Sequence, residues 1–455
     1  MNQAGEHRNV KTLCVLGLGY IGLPTASMFA THGVPVTGVD VKQAVIDILN
    51  NGGIHIQEPG LRTLVRGAMA AGYLNVAREP APSDAFIIAV PTPINADKTA
   101  DMRYVIAAAE SVVPHLREGN LVILESTSPP RTTVDLVQPI LERSGLKAGE
   151  DFFLAYSPER VLPGHILREL VENSRVIGGI DPASAEAGRD LYAAFVEGEI
   201  VLTDATTAEM VKLMENTYRD INIAAANEFA RLAEHFQVNV WEAIAIANRH
   251  PRVEILRPGP GVGGHCISVD PWFFVETAPE IAHLIRQARV VNDEQPAYVV
   301  QQLSRVFGDL AGRTFAALGV TYKSNVDDMR ESPAVAVIHH LQRAGATVRA
   351  YDPYVAAAPE LEGALVSTLD DAIRGADGVL LLVDHREFKS LAVDHLAGLL
   401  KRRFILDTRC VLPRDVWEAA GFDVMLLGDG RERWNVNTLE RSNVPTFQRS
   451  NVPTP

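Results

Sequence analysis

The chain of 455 residues is predicted to be α/β: two Rossmann-like doubly wound domains joined by a long central helix. Three observations predict this. Short apolar runs alternate with helix-compatible stretches in the first part of the chain. The alternation lapses over residues 206–236, where there is no proline and every residue suits a helix. It resumes near residue 314 in the same order as before, strand, turn, helix and a strand ending in aspartate. The similarity of the two parts is one of pattern, not of strict repeat.

In chain order, LCVLG (13–17), VPVTGVD (34–40), AFIIAV (85–90) and LVILES (121–126) read as buried parallel strands. AYSPER (155–160) and SRVIGG (174–179) read as further strand ends. The long helix is expected to be capped by Thr206 or Thr207, and a shorter helix follows around 240–249. RPGPGVGGHC (257–266) is loop, because its glycines and prolines break both helix and strand. TFAALGV (314–320), ATVRAYD (346–352), GVLLLVD (378–384) and RFILDT (403–408) supply the strands of the second α/β domain. The tail repeats RSNVPT at 441–446 and 449–454; it is too polar for a core and is expected to be disordered. The expected division is a dinucleotide-binding domain over 1–203, a central helical and loop segment over 204–305, a second Rossmann-like domain over 306–430, and the tail over 431–455.

Composition narrows the function classes. The chain is 47% hydrophobic and 22% charged, as soluble globular proteins are. No apolar run reaches the ~18 residues of a membrane span. The N-terminal MNQAGEHRNVKT lacks the apolar stretch of a secretory signal. A net charge of −14 argues against a nucleic-acid partner. Three cysteines make no disulfide framework, so a reducing, cytoplasmic setting is expected, with no metal.

Gly17, Gly19 and Gly22 form a GxGxxG motif, spanning Tyr20 and Ile21, that follows a strand and opens a helix. Such a turn lets a pyrophosphate approach the helix N-terminus. Asp40 ends the next strand, 18 residues past Gly22. A carboxylate there accepts from a ribose 2′-hydroxyl and repels a 2′-phosphate, which favours NAD over NADP. Thr92 and Thr127 follow later strands at the end that faces the ligand crevice. Their plain alternative is turn capping.

The chemistry is expected at Cys266. Packing gives little reason for a cysteine in the polar, glycine-rich stretch 261–266, and the glycines would let backbone approach a ligand. Cys14 lies in an apolar strand and reads as core, and Cys410 reads as structural. A thiol is only a few per cent ionised at neutral pH. Asp270, four residues on, disfavours the thiolate, so a cationic partner is wanted. Lys212, Asn216 and Arg219 share one face of the long helix by spacing; the plain alternative is a solvated face.

These motifs together resemble the UDP-glucose/UDP-mannose dehydrogenase superfamily, and within it the UDP-N-acetyl-D-mannosamine branch. The resemblance rests on GLGYIGLPTA (17–26), IHIQEP (54–59), AVPTPI (89–94), ILESTSPP (123–130), YSPERVLPG (156–164), TAEMVKLMENTYRDINIAAANE (207–228), ANRHPRV (247–253), GPGVGGHCISVDPWF (259–273) and DDMRESPA (327–334). It implies an NAD-binding domain, a central dimerisation helix, a UDP-binding domain and oxidation of a sugar C6 alcohol to a carboxylate with two NAD. By motif, Cys266 is the nucleophile of a thiohemiacetal and thioester route. Lys212 and Asn216 stabilise oxyanion charge, Asp270 aids proton movement, and Glu159 and Thr127 position water. Gly17, Gly19, Tyr20, Ile21, Gly22, Asp40, Thr92, Thr127 and Arg330 match cofactor positions. Arg160, Val161, Lys212, Asn216, Arg219, His250, Arg252, Gly263, Tyr322, Lys323 and Arg409 match substrate positions, with Arg252 assigned to a second subunit's site. A homodimer or higher homo-oligomer is implied.

Several departures sort the branches. The UDP-glucose branch carries a second glutamate four residues after the position of Glu159; here Pro163 stands there. His265 replaces a small residue. Both suit an N-acetylhexosamine substrate. Ser268 and DTRC (407–410) are atypical, and Arg409 replaces a frequent lysine. UDP-N-acetylglucosamine and UDP-glucose are the alternative substrates. A silent nucleotide-sugar scaffold is disfavoured by the intact Cys266, Lys212, Asn216 and Asp270.

Overall fold

The computed structural model describes residues 10–361 and 363–430. The RSNVPT repeats and most of the polar N-terminal stretch lie outside them. The described residues form two compact units, one of residues 10–222 with His265–Val290, the other of Ile223–Gly264 with the described residues between 291 and 430.

The first unit is built on an eight-stranded sheet ordered β3-β2-β1-β4-β5-β6-β7-β8. Its strands are β1 (Leu13–Leu16), β2 (Val36–Val39), β3 (Leu74–Ala77), β4 (Ala85–Ile88), β5 (Leu121–Leu124), β6 (Phe153–Tyr156), β7 (Arg175–Gly179) and β8 (Ile200–Asp204). Every pairing is parallel except β6 with β7. Alternate residues feed opposite faces. Leu13 and Val15 enter one core with Ile87, while Cys14 and Leu16 enter the other with Phe86 and Ile88. Burial on both faces is why these strands read as unbroken apolar runs. Phe86 is wholly buried, and its truncation to alanine would cost ~3–5 kcal/mol.

The second unit holds a wholly parallel sheet of five strands ordered β10-β9-β11-β12-β13. These are β9 (Thr314–Leu318), β10 (Thr347–Tyr351), β11 (Gly378–Leu381), β12 (Phe404–Asp407) and β13 (Asp423–Leu426). Phe315 and Ala317 pack on one face, Ala316 and Leu318 on the other.

The long helix runs Ala205–Phe236. Its cap is neither Thr206 nor Thr207. Asp204 Oδ1 accepts from the Thr207 amide at 2.9 Å and Oδ2 from the Thr207 hydroxyl at 2.6 Å. A carboxylate at the strand end thus takes the N-cap role, which aspartate fills as well as threonine does. The helix stops at Gln237, whose φ of 58° is left-handed. The shorter helix is Val240–Ala247. Another long helix, His283–Phe307, carries Pro296 in its interior. Proline has no N–H to give the Asn292 carbonyl, and Gly261 packs at that notch, where an added Cβ would lie 3.2 Å from Asn292 O.

Candidate active site

Gly17 follows β1 at the point where chain order reverses between β1 and β4. Its φ is 93°, and a Cβ there would lie 2.6 Å from the Ala89 carbonyl oxygen. At Gly22 a Cβ would lie 1.8 Å from the Gly17 carbonyl oxygen, so this residue closes the turn onto the helix Gly22–Thr31. Gly19 differs: a Cβ there would meet no described atom within 4 Å. The three glycines therefore divide the work as a dinucleotide turn requires, two closing the backbone and one leaving open space over the helix N-terminus. Tyr20 and Ile21 lie within this turn. Asp40 stands just past β2, accepting from the Leu18 amide at 3.2 Å and the Lys42 amide at 2.9 Å. The residues fit NAD. Thr92 Oγ1 donates to the Thr127 carbonyl at 2.6 Å, tying the loops after β4 and β5 together.

The long helix and the segment after Cys266 meet inside the first unit. Leu213 packs with Val269 and Phe273 in a small core. Asn216 Nδ2 donates to Asp270 Oδ2 at 2.6 Å. Lys212 and Asn216 are buried, but Arg219 is exposed, so the expected three-residue face holds for two. Burial pushes the Asp270 carboxyl up to about 6, opposed by the Lys212 charge and the Asn216 hydrogen bond. The carbonyl of Cys266 accepts from the Asp270 amide at 2.8 Å, placing the thiol one turn before the helix Asp270–Thr277. His265 Nδ1 lies 2.9 Å from Cys266 Sγ. The sequence marks His265 only as a branch feature and gives no sign that it touches the sulfur.

Glu159 and Arg160 lie in the loop after β6. Glu159 Oε2 pairs with Arg175 at 2.5 Å, and Oε1 accepts from the Arg160 amide at 2.7 Å. Arg160 forms an ion pair with Glu215 of the long helix at 3.2 Å, and Val161 packs against the first core. Glu58 of the IHIQEP segment accepts from the amides of Gly164 and Ile166 at 2.8 and 2.9 Å. His55 of the same segment bonds the Leu18 carbonyl at 2.8 Å. That motif thus pins both the dinucleotide turn and the loop carrying Glu159, a role its letters do not reveal.

In the second unit the glycine-rich stretch packs its glycines closely against protein on the side where a Cβ would stand. A Cβ on Gly263 would lie 2.4 Å from the Glu331 carbonyl oxygen, and one on Gly264 would lie 2.8 Å from the Tyr322 ring. Tyr322 and Lys323 follow β9 near the chain-order reversal of this sheet. Wholly buried His385 braces them: its Nδ1 accepts from the Asn325 amide at 2.9 Å and its Nε2 lies 3.0 Å from Asp352 Oδ2. Arg409 reaches Asp384 at 3.3 Å, and Gly259 makes room for its guanidinium, since a Cβ there would lie 2.5 Å from Nη1. Arg330 is exposed and paired with Asp328 at 2.5 Å. His250 and Arg252 lie on an exposed turn after the helix Val240–Ala247. Cys14 is buried, as expected of a core thiol, whereas Cys410 is exposed with φ 54°, so packing does not hold it.

Comparison with known proteins follows this division of labour. Residues 11–196 match the NAD binding domain of the UDP-glucose/GDP-mannose dehydrogenase family, 206–294 its central domain and 316–414 its UDP binding domain. The chain is 49% identical to a UDP-N-acetyl-D-mannosamine dehydrogenase of Methanococcus maripaludis over 439 residues, 94% of this chain and all of that one. It is also 49% identical to an NDP-N-acetyl-D-galactosaminuronic acid dehydrogenase of Ralstonia solanacearum over 408 residues, 88% of this chain and 96% of that one. The solved structure of the UDP-D-ManNAc dehydrogenase from Pyrococcus horikoshii superposes with a TM-score of 0.87 at 42% identity, over 92% of this chain and 99% of that one.

Proposed function

Because this chain belongs to the UDP-glucose/GDP-mannose dehydrogenase family, we propose that it oxidises the C6 alcohol of UDP-N-acetyl-D-mannosamine to the carboxylate. The alcohol, two NAD and one water give the carboxylate, two NADH and three protons. The observation that carries the chemistry is the buried group of Lys212, Asn216 and Asp270, one turn from Cys266 and its neighbour His265. The substrate rests on the resemblance to the Methanococcus and Pyrococcus enzymes. NAD would be held at Gly17, Gly19, Gly22 and Asp40 and would supply the hydride acceptor.

Asp270, with its carboxyl raised toward neutrality by burial, takes the alcohol proton in the first oxidation. Cys266 then attacks the aldehyde through sulfur, forming a C–S bond while the carbonyl electron pair moves to oxygen. Lys212 and Asn216 stabilise that oxyanion. After the second oxidation the thioester is hydrolysed, with Glu159 and Thr127 holding the water. Covalent capture keeps the aldehyde bound while cofactor exchanges. We assign residues 1–203 to NAD, 204–305 to the central segment and 306–430 to the UDP end. Across these segments Arg160, Val161, Arg219, His250, Gly263, Tyr322, Lys323 and Arg409 hold substrate and Arg330 the cofactor. Arg252 serves the neighbouring subunit of a homodimer.

Exposed Met210, Met214 and Tyr218, four residues apart along the long helix, support that dimer. Light scattering tests it; a monodisperse monomer overturns it. Among the described residues no helix is long and apolar enough to cross a membrane. Three free cysteines support a cytoplasmic setting.

The deciding experiment measures NADH and sugar product with UDP-N-acetylmannosamine, UDP-N-acetylglucosamine, UDP-N-acetylgalactosamine and UDP-glucose. We expect turnover to be fastest with the mannosamine sugar, at two NADH per carboxylate. One NADH with released aldehyde would overturn the thioester route. Preference for the galactosamine sugar would move the chain to the branch of the Ralstonia relative. Cys266→Ser is expected to block the second oxidation.

A further inference from the structure

A buried cluster behind Glu159 has a composition that stability alone does not explain. Arg175 on β7 places Nη2 2.5 Å from Glu159 Oε2, and Nη1 3.4 Å from Glu125 Oε1 and 2.9 Å from Ser157 Oγ. Its guanidinium carbon lies 4.1 Å over the ring of Tyr192. Tyr192 donates its hydroxyl to Glu125 Oε1 at 2.8 Å, and Thr25, on the helix that opens the dinucleotide turn, donates to Glu125 Oε2 at 3.3 Å. Two carboxylates thus share one guanidinium beneath the surface.

A structural ion pair needs one carboxylate, and even a matched buried pair often stabilises less than apolar side chains would. The surplus carboxylate has its own consequence: burial, with the charge of Glu159 adding and Arg175 opposing, pushes Glu125 up to about 7. Burial thus makes Glu125 the weaker claimant on the guanidinium, in line with the contacts, 2.5 Å to Glu159 against 3.4 Å to Glu125. Of the three charged groups Glu159 is the most exposed, at 9% against 5% for Arg175 and 2% for Glu125. Each Glu159 oxygen has one hydrogen-bond donor in place, Arg175 on one and the Arg160 amide on the other. A carboxylate oxygen accepts more than one bond, so both retain capacity at the exposed edge.

We propose that Arg175 is a positioning residue for the hydrolytic half of the reaction: shared between Glu125 and Glu159, its guanidinium fixes the Glu159 carboxylate in the orientation that holds the attacking water. This rests on the reading of Glu159 as the residue that positions that water. In the step concerned, the water oxygen bonds the thioester carbon and its proton passes to the Glu159 carboxylate. The C–S bond then breaks, its electron pair leaving on the Cys266 sulfur, and Glu159 returns the proton to solvent. Arg175 touches none of the reacting atoms. It acts by denying Glu159 other rotamers.

The test separates oxidation from hydrolysis in one rapid-mixing experiment with the full-length enzyme, NAD and the UDP-sugar. Arg175→Met is expected to keep a burst of two NADH per Cys266 and to lose steady-state turnover by ~10²-fold, the lower end of what general-base assistance contributes. The substrate acyl group should then be found on Cys266 by intact-mass measurement. Arg175→Lys, which keeps the charge but not the two-sided geometry, should recover part of the turnover with the burst unchanged. It also serves if the methionine variant does not fold. A parallel fall of burst and steady state in the lysine variant would reduce Arg175 to a structural part and overturn the proposal, as would hydrolysis at the wild-type rate. Wild-type enzyme that forms no NADH with any UDP-sugar would instead overturn the assigned activity, and this proposal with it.

Discussion

His265 Nδ1 stands 2.9 Å from Cys266 Sγ. An imidazole at that distance accepts the thiol proton or, once protonated, donates to the thiolate, and either favours the ionised sulfur. His265→Ala is therefore expected to slow iodoacetamide alkylation of Cys266 at pH 7 by roughly 10-fold, the effect of about one unit in thiol pKa. The chain holds its own controls. Cys410 is exposed and should label equally in both proteins, while buried Cys14, its thiol pushed up to about 11 by burial, should label in neither. Peptide mass measurement reads all three. An unchanged ratio of Cys266 to Cys410 labelling would mean that the imidazole does not activate the sulfur.

The glycine turn separates structure from function at two neighbouring positions. At Gly22 a Cβ would lie 1.8 Å from backbone oxygen, and backbone cannot step aside. Gly22→Ala is expected to lower the melting temperature by several degrees or to prevent folding of the first unit. At Gly19 a Cβ would meet no described atom within 4 Å. Gly19→Ala is expected to fold with an unchanged melting temperature but to raise KM for NAD by ~10-fold or more, because the methyl occupies the space the pyrophosphate needs. Thermal melts and NAD titrations on the two variants check this. An unchanged KM in Gly19→Ala would place the cofactor elsewhere.

The parts of this fold legible in the sequence are those whose physics is local. Strands buried on both faces, such as β1, β4 and β5, read as apolar runs because nothing on either side is polar. β3, β8 and β13 escape that reading, and all three are sheet edges; β3 and β8 are only partly buried. The residues of the dinucleotide turn were legible because one short motif holds all of its geometry. The partnership of Asn216 with Asp270 was not, since 54 residues separate them and nothing in either segment names the other. Arg175 and Glu125 were missed for a related reason. Each sits in or beside an apolar strand, where a lone charge looks incidental until its partner from another strand is seen.

His385 is a second residue that distance in sequence conceals. Its two nitrogens have different partners, the Asn325 amide on Nδ1 and Asp352 on Nε2, so the proton belongs on Nε2. His385→Ala would remove the acceptor of the Asn325 amide and one donor to Asp352, which keeps the Val320 and Tyr354 amides, so the loss is about that of one or two ordinary hydrogen bonds, ~1 kcal/mol each. The segment that carries Tyr322 and Lys323 should loosen in consequence. Calorimetric titration with UDP alone is expected to show binding at least ~10-fold weaker, which is ~1.4 kcal/mol, while NAD binding is unchanged. Equal loss of both ligands would indicate general unfolding rather than loss of a local brace.

Asp270 makes a prediction whose sign runs against the usual carboxylate. In the unfolded chain an aspartate titrates near ~3.9, but in the folded protein burial raises Asp270 to about 6. Between those values the folded state holds more protons, so stability falls as pH rises through that window and levels off above it. Asp270→Asn keeps an oxygen to accept from Asn216 and removes the buried charge. Its melting temperature should match wild type near pH 4, rise relative to it as pH climbs toward 6, and hold that advantage above. The attraction to Lys212 is already contained in the raised value, so the ~3 kcal/mol that two pKa units would give is the ceiling of the gain. Activity should move the other way. The wild-type rate is expected to drop below pH 6 as the carboxylate is protonated, and the asparagine variant should be slower by ~10²-fold or more, with no such limb. Melting curves and kcat measured from pH 4 to 8 on both proteins test this together. A variant less stable than wild type at pH 8 would show that the ionised Asp270 is held in place by Lys212 at a net gain, and that burial does not dominate its energy.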